Sequence, residues 1–195
     1  MGEGLIRLSN MNLSRLALGI LCTAVTMVGA AEPAGPLDFT LKGNDGSDYP
    51  LAQHRGEVVL IVNVASKCGF TPQYKALQAL YTQHHAAGLT IIGVPANDFR
   101  GQEPGTDAQI ATFCSTTYGV TFPLMAKVAV TGDSIAPLYA WLTTKSPFPG
   151  PIGWNFNKFL VGRDGQVVAR FESKVKPDAP EFIAAIEKAL AISVK

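Results

Sequence analysis

The stretch Val58-Val59-Leu60-Ile61-Val62-Asn63-Val64-Ala65-Ser66-Lys67-Cys68-Gly69-Phe70-Thr71-Pro72 decides the fold. Its first half is an apolar run rich in β-branched residues, with the length of a strand buried on both faces. Small residues and a cysteine follow, then a Thr-Pro pair. Thr71 is a residue type that caps helices, and Pro72 suits the first helical position. The chain thus passes from a buried strand to a helix N-terminus, with Cys68 at the junction. Backbone N–H groups and the helix dipole at such a place favour a thiolate. Buried cysteine is also a common inert core residue. The position of Cys68 between strand and capped helix favours the reactive reading.

Working outward, the pattern predicts a helix from Pro72 to His85, with Tyr74, Leu77, Leu80 and Tyr81 on one face and Gly88 placed to end it. Leu89 to Val94 is a second continuous apolar strand, and strand, helix and strand form a parallel, right-handed βαβ unit. Upstream, Leu37 to Lys42 reads as a strand. Asn44-Asp45-Gly46 reads as a turn, and Tyr49 to Ala52 pairs back as a hairpin. Downstream, Pro95 to Gly105 is a polar loop at a strand C-terminus, where α/β proteins place chemistry. Thr106 caps a helix from Asp107 to Tyr118 that contains Cys114, with Gln109 at the capping-box position. Residues 123–130 read as strand and Ala136 to Thr144 as helix. Trp154 to Val161 alternates like a half-buried strand. A turn at Arg163 to Gln166 leads to a returning strand, Val167 to Phe171. Pro177 to Ile192 closes the chain as an amphipathic helix, with Phe182, Ile183, Ile186, Ala189 and Leu190 inward. This order predicts an α/β protein with a thioredoxin-like fold: a central mixed β-sheet flanked by helices on both faces.

Composition sets the outer limits. The net charge of +1 offers no basic field for a nucleic-acid partner. The three cysteines, Cys22, Cys68 and Cys114, are too few for a disulfide scaffold, and none forms a C-x-x-C or zinc spacing. His84 and His85 read as solvated surface residues. No metal or cofactor is expected. Residues 1–30 read as a signal peptide: Arg7 and Arg15 supply the positive region, Leu16 to Val28 the apolar region, and Val28-Gly29-Ala30 the cleavage site. Met11 is an alternative start. Cys22 falls in the apolar region and leaves with it. Residues 31–36 read as a linker, and 37–195 as the domain. A periplasmic or secreted product is expected, with an uncleaved membrane anchor as the alternative.

Several segments in this order resemble the cysteine-type glutathione peroxidases. They are Asn63-Val64-Ala65-Ser66-Lys67-Cys68-Gly69-Phe70-Thr71, the loop with Asn97, Phe99 and Gln102-Glu103-Pro104-Gly105, and Trp154-Asn155-Phe156-Asn157-Lys158-Phe159-Leu160-Val161. The resemblance covers about residues 37 to 190. It implies a peroxidatic Cys68 assisted by Gln102, Trp154 and Asn155. It also implies a resolving Cys114, in the segment Ala111-Thr112-Phe113-Cys114. The short stretch between Trp141 and Trp154 resembles the monomeric, thioredoxin-using branch. Three features depart from the family pattern: Ala96 stands where many relatives have cysteine, Asp98 where they have an amide, and the glycine of the Gly-x-Gln-Glu step is shifted, giving Arg100-Gly101-Gln102. Asp98 is expected to bring a charge close to the site.

Peroxide reduction is attack of a thiolate on one peroxide oxygen while the other leaves. The amides of Gln102 and Asn155 and the Trp154 indole N–H are neutral donors that can stabilise both thiolate and leaving oxygen. One positioned donor is typically worth ~3 kcal/mol. The product is a sulfenic acid at Cys68; the resemblance implies that Cys114 condenses with it, the alternative being a buried, inert Cys114 and an external thiol. Cys114 lies on a predicted helix, and a disulfide needs Cα atoms within about 7 Å. The helix is therefore expected to unwind during the reaction. The implied partners are a hydroperoxide and, as reductant, a thioredoxin-like protein or glutathione. The rivals are a peroxide sensor that passes its disulfide to another protein, and a thiol–disulfide oxidoreductase, which Thr71 in place of a second cysteine disfavours.

Overall fold

The computed structural model describes residues 1–2 and 32–193. The expected signal peptide, beyond its first two residues, and Cys22 lie outside the described residues. Residues 32–195 form one compact unit.

A short hairpin, β1 (Thr40–Lys42) and β2 (Asp48–Pro50), turns through Gly46 at φ 83°. The expected strand Leu37 to Lys42 is shorter than its apolar pattern implied, because Pro36–Asp38 forms a 3-10 turn closed by the Asp38 carboxylate on the N–H of Ala34 and Gly35. Leu51–His54 is likewise a 3-10 turn rather than strand. The segment read as a linker lies against the domain: the Trp141 indole donates to the Pro33 carbonyl at 3.1 Å, and Lys145 pairs with Glu32.

The main sheet holds β3 (Val58–Val64), β4 (Leu89–Pro95), β5 (Lys158–Val161) and β6 (Val167–Phe171) in the order β4-β3-β5-β6. β3 pairs parallel with β4 and antiparallel with β5, so the sheet is mixed and β3 is internal. Helix α1 (Gln73–His84) makes the β3–β4 crossover. It is followed by α2 (Asp107–Tyr118), α3 (Pro137–Thr144) and α4 (Pro180–Leu190).

Alternation along β3 builds two cores. Val58, Leu60, Val62 and Val64 join Tyr74 and Leu77 of α1, Ile110 and Cys114 of α2, and Phe182 and Ile186 of α4. Val59 and Ile61 join Leu138, Tyr139 and Leu142 of α3. Helices therefore cover both faces, as expected. Each fully buried branched side chain contributes about 1.5–3 kcal/mol, and all seven β3 residues are buried. That holds the strand end, and the loop it delivers, in one place.

Two expected strands differ. Residues 123–130 form only isolated bridges, Gly93 with Leu124 and Gly43 with Met125. The segment divides its hydrogen bonds: the Gly93 N–H reaches the Pro123 carbonyl and Met125 N–H reaches the Gly93 carbonyl, but Ala126 N–H reaches Lys42. A chain bonded to two elements builds no continuous ladder on either. Residues 154–157 are irregular rather than strand, because Phe156 adopts φ 65°. Among the described residues, no helix is long and apolar enough to cross a membrane.

Candidate active site

Cys68 follows β3 on a turn and is 7% exposed. Helix α1 begins only at Gln73, so Cys68 lies outside the first helical turn. Thr71 was expected to cap that helix. Its hydroxyl instead accepts the Cys68 N–H at 3.0 Å and donates to the Ala65 carbonyl at 2.8 Å. It thereby ties the cysteine to the strand end. The Cys68 carbonyl accepts the Thr71 N–H at 3.0 Å, and the sulfur accepts the Phe70 N–H at 3.4 Å. That contact supplies the backbone donor expected from a helix terminus.

The loop after β4 reaches the same place. The Gln102 carbonyl accepts the N–H of Lys67, the neighbour of Cys68, at 3.0 Å. The loop is shaped by Asn97, whose side-chain oxygen accepts the Glu103 N–H, and by Arg100 and Gly101 at φ 56° and 64°. The third segment arrives through Asn155, which is fully buried and donates its amide to the Gln102 side-chain oxygen at 2.9 Å. This bond occupies the oxygen of Gln102 and leaves its NH2 group without a protein acceptor among the described residues; the same holds for the Trp154 indole N–H. Trp154 lies at the margin of the core cluster that contains Cys68, packed at a tilt of 42° against Phe99 with ring centroids 5.4 Å apart. The structure thus joins Gln102 to the Cys68 loop through the Lys67 N–H and Asn155 to Gln102, and sets Trp154 at the margin of the core that contains Cys68. Asp98 was expected to add charge near the site, but its carboxylate accepts the Val130 N–H at 2.8 Å.

Two scaffold residues went unread in the sequence. Asn63 is a buried amide in an otherwise apolar strand, and that polar interruption was its signal. It donates to the Trp154 carbonyl at 3.0 Å and accepts the Asn157 N–H at 2.9 Å. Its backbone carbonyl accepts Phe156 N–H. Lys158 is 0% exposed and donates to the carbonyls of Phe156 and Val175 at 2.8 and 2.9 Å. Burial pushes its pKa down to about 7, against the pull of Glu172. Together they fix the left-handed turn at Phe156 that presents Trp154 and Asn155.

Cys114 lies on the buried side of α2, fully covered, and both Cys68 and Cys114 are free thiols. Burial pushes the Cys114 thiol up to about 11. The Tyr74 hydroxyl lies beside it without a well-formed hydrogen bond and opposes the shift, while Glu103 adds to it. Both Glu103 carboxylate oxygens are buried without a partner, and burial raises that carboxyl's pKa.

The model of the family described as glutathione peroxidase matches residues 37–143. The chain belongs to the glutathione peroxidase family. A glutathione peroxidase-like peroxiredoxin of Schizosaccharomyces pombe is 50% identical over 143 residues, covering 72% of this chain and 90% of that protein. A protein of Synechocystis named a hydroperoxy fatty acid reductase is 51% identical over 160 residues, covering 78% and 94%. Among solved structures, one described as Trgpx in apo form matches with a TM-score of 0.68 at 34% identity, covering 84% of this chain and all of that one. A thiol:disulfide interchange protein of the thioredoxin family from Chlorobium tepidum matches at TM-score 0.62 and 16% identity, covering 84% of this chain and all of that one, and shows that the chain shares the thioredoxin-like fold.

Proposed function

We propose that this chain is a thiol peroxidase that reduces hydrogen peroxide and organic hydroperoxides at Cys68. The observation that carries this reading is the Asn155–Gln102 bond, which occupies the Gln102 side-chain oxygen and leaves its NH2 group without a protein acceptor among the described residues, on a residue whose carbonyl meets the Lys67 N–H next to Cys68. Cys68 sulfur attacks one peroxide oxygen, and the O–O bond breaks. The other oxygen leaves as hydroxide or alkoxide, stabilised by the Gln102 and Trp154 N–H donors. Asn155 orients Gln102. Cys68 becomes a sulfenic acid. The Cys114 thiol then attacks Cys68 sulfur, water leaves, and a Cys68–Cys114 disulfide forms, which a thioredoxin-like protein or glutathione reduces by thiol–disulfide exchange. The names of the yeast and cyanobacterial relatives, a peroxiredoxin and a hydroperoxy fatty acid reductase, support this reading. Two grooves flank the Cys68 loop, one with Phe70, Pro72 and Pro177 beside Lys174, Lys176 and Asp178, the other with Pro104, Ile110 and Phe113 beside Lys67 and Glu103, and their apolar walls suit the alkyl chain of a hydroperoxide. We place the mature protein, as a monomer, outside the cytosol, released after removal of residues 1–30.

The test is NADPH-coupled peroxide consumption with a thioredoxin system and, separately, with glutathione and its reductase. Sustained turnover that Cys68→Ser abolishes is expected. A single turnover with neither donor, accompanied by cross-linking to another protein, overturns the enzyme reading in favour of a sensor.

A further inference from the structure

We propose that Arg100 is the binding point for the carboxylate of a fatty-acid hydroperoxide, and so sets substrate preference at the site above, on whose assignment this inference rests. Arg100 is exposed, at the tip of the loop that carries Gln102. It holds φ 56°, a left-handed conformation that disfavours a non-glycine residue. A glycine would take the same turn without that cost, so the loop geometry alone does not call for arginine. The guanidinium instead lies over the Trp154 ring, 5.5 Å from its centroid. Cation–π stacking holds it in place and removes water from one face. Its N–H donors have no acceptor and no acidic partner among the described residues. The adjacent acid, Asp98, is engaged by the Val130 N–H. A pre-oriented cation with free donors thus stands beside the indole that is proposed to face the peroxide.

The ligand class follows from the donor set. A planar guanidinium pairs with a carboxylate through two parallel hydrogen bonds. An oxidised fatty acid carries that carboxylate on one end of an alkyl chain, and the groove walled by Pro104, Ile110 and Phe113, with Lys67 and Glu103 at its side, begins on the same loop as Arg100 and offers apolar surface for such a chain.

The experiment measures binding and turnover separately. An octadecanoid hydroxy acid, the reduced product, and its methyl ester are titrated against the reduced full-length protein with tryptophan fluorescence as readout. The corresponding hydroperoxy acid, its methyl ester and hydrogen peroxide are compared in the coupled assay. The wild type is expected to bind the acid about tenfold more tightly than the ester, as a charge-assisted pair gives. The kcat/KM ratio of acid to ester should show the same preference. In Arg100→Gly, which relieves the backbone strain and is therefore expected to fold, both ratios fall to about one. Taking ratios cancels any effect on the peroxide chemistry. Equal binding of acid and ester by the wild type, or a preference that survives Arg100→Gly, overturns the assignment. If the wild type consumes no peroxide with either donor, the peroxidase reading fails, and the binding ratio still decides the role of Arg100.

Discussion

Cys68 and Cys114 belong to one buried cluster, yet they are held in opposite ways. Cys68 follows the innermost strand, tied to Ala65 through Thr71 and to the Gln102 loop through Lys67. Cys114 sits on a helix that buries only Ile110 and Cys114 itself. Inside that helix Thr112, Ser115 and Thr116 turn their hydroxyls back onto helix carbonyls, which weakens it slightly. Its stability rests on its ends: the Thr106–Gln109 capping box and the left-handed Gly119. A thiol that receives a small diffusing peroxide profits from a fixed position. A thiol that must reach another sulfur profits from an element that can open.

The sharpest way to break this contrast is to delete each sulfur in turn. Cys68→Ser should lower coupled turnover by at least about 10³-fold. Cys114→Ser should leave the first equivalent of peroxide consumed at the wild-type rate, with a sulfenic acid that dimedone traps, and stop disulfide-dependent turnover. A Cys114→Ser protein that turns over normally with a thioredoxin system would show that the two-cysteine assignment is wrong.

Next in size is the share of Cys114 in the loss of stability at alkaline pH, to which tyrosines with pKa values raised by burial also contribute. Its folded pKa of about 11 lies above the ordinary thiol value of 9.0, so the folded state disfavours the thiolate. The stability it contributes is complete below 9 and is lost as pH rises towards 11. The loss amounts to about 2–3 kcal/mol. Denaturation of wild type and Cys114→Ser across that window measures it; identical slopes would remove Cys114 as the cause.

Thr71→Val should cost about 2 kcal/mol in chemical denaturation, because it leaves the Cys68 N–H and the Ala65 carbonyl without their partner. It should also slow the first step rather than disulfide formation. The smallest effect belongs to Gly119→Ala, about 1 kcal/mol from the left-handed backbone alone, since a Cβ there meets nothing within 4 Å. Loosening the end of α2 should speed Cys68–Cys114 bond formation, followed by mass mapping of quenched samples. An unchanged rate would mean that α2 need not open.

Much of this arrangement was legible in the residues. Continuous apolar runs marked β3 and β4, whose burial on both faces leaves no polar alternation. The stripe Phe182, Ile186, Ala189 marked α4, because one helix face packs on the sheet. The candidate site residues came from motifs, and the structure adds the bond between two of them, Asn155 and Gln102. What periodicity could not show was where a polar side chain replaces a backbone partner. Trp154 to Asn157 alternates like a strand, but Asn63 and Lys158 capture its carbonyls and bend it. Thr71 has the side chain of a helix cap and spends it on Cys68. Arg100 gave no sign of its backbone conformation, since its neighbours set φ there.

The bridge from Asn63 to Trp154 spans 91 positions in the chain. It places in order the events by which the protein comes into being. A ribosome completes β3 and Cys68 long before the residues of β5 emerge. The thiol therefore exists first without its donors. Only when the last third of the chain pairs with β3 do Trp154 and Asn155 reach their positions. Contacts so distant in sequence form late. A partly made or partly folded chain accordingly carries Cys68 without the rest of the proposed site, and on that proposal peroxide chemistry is gained in the same step that completes the sheet.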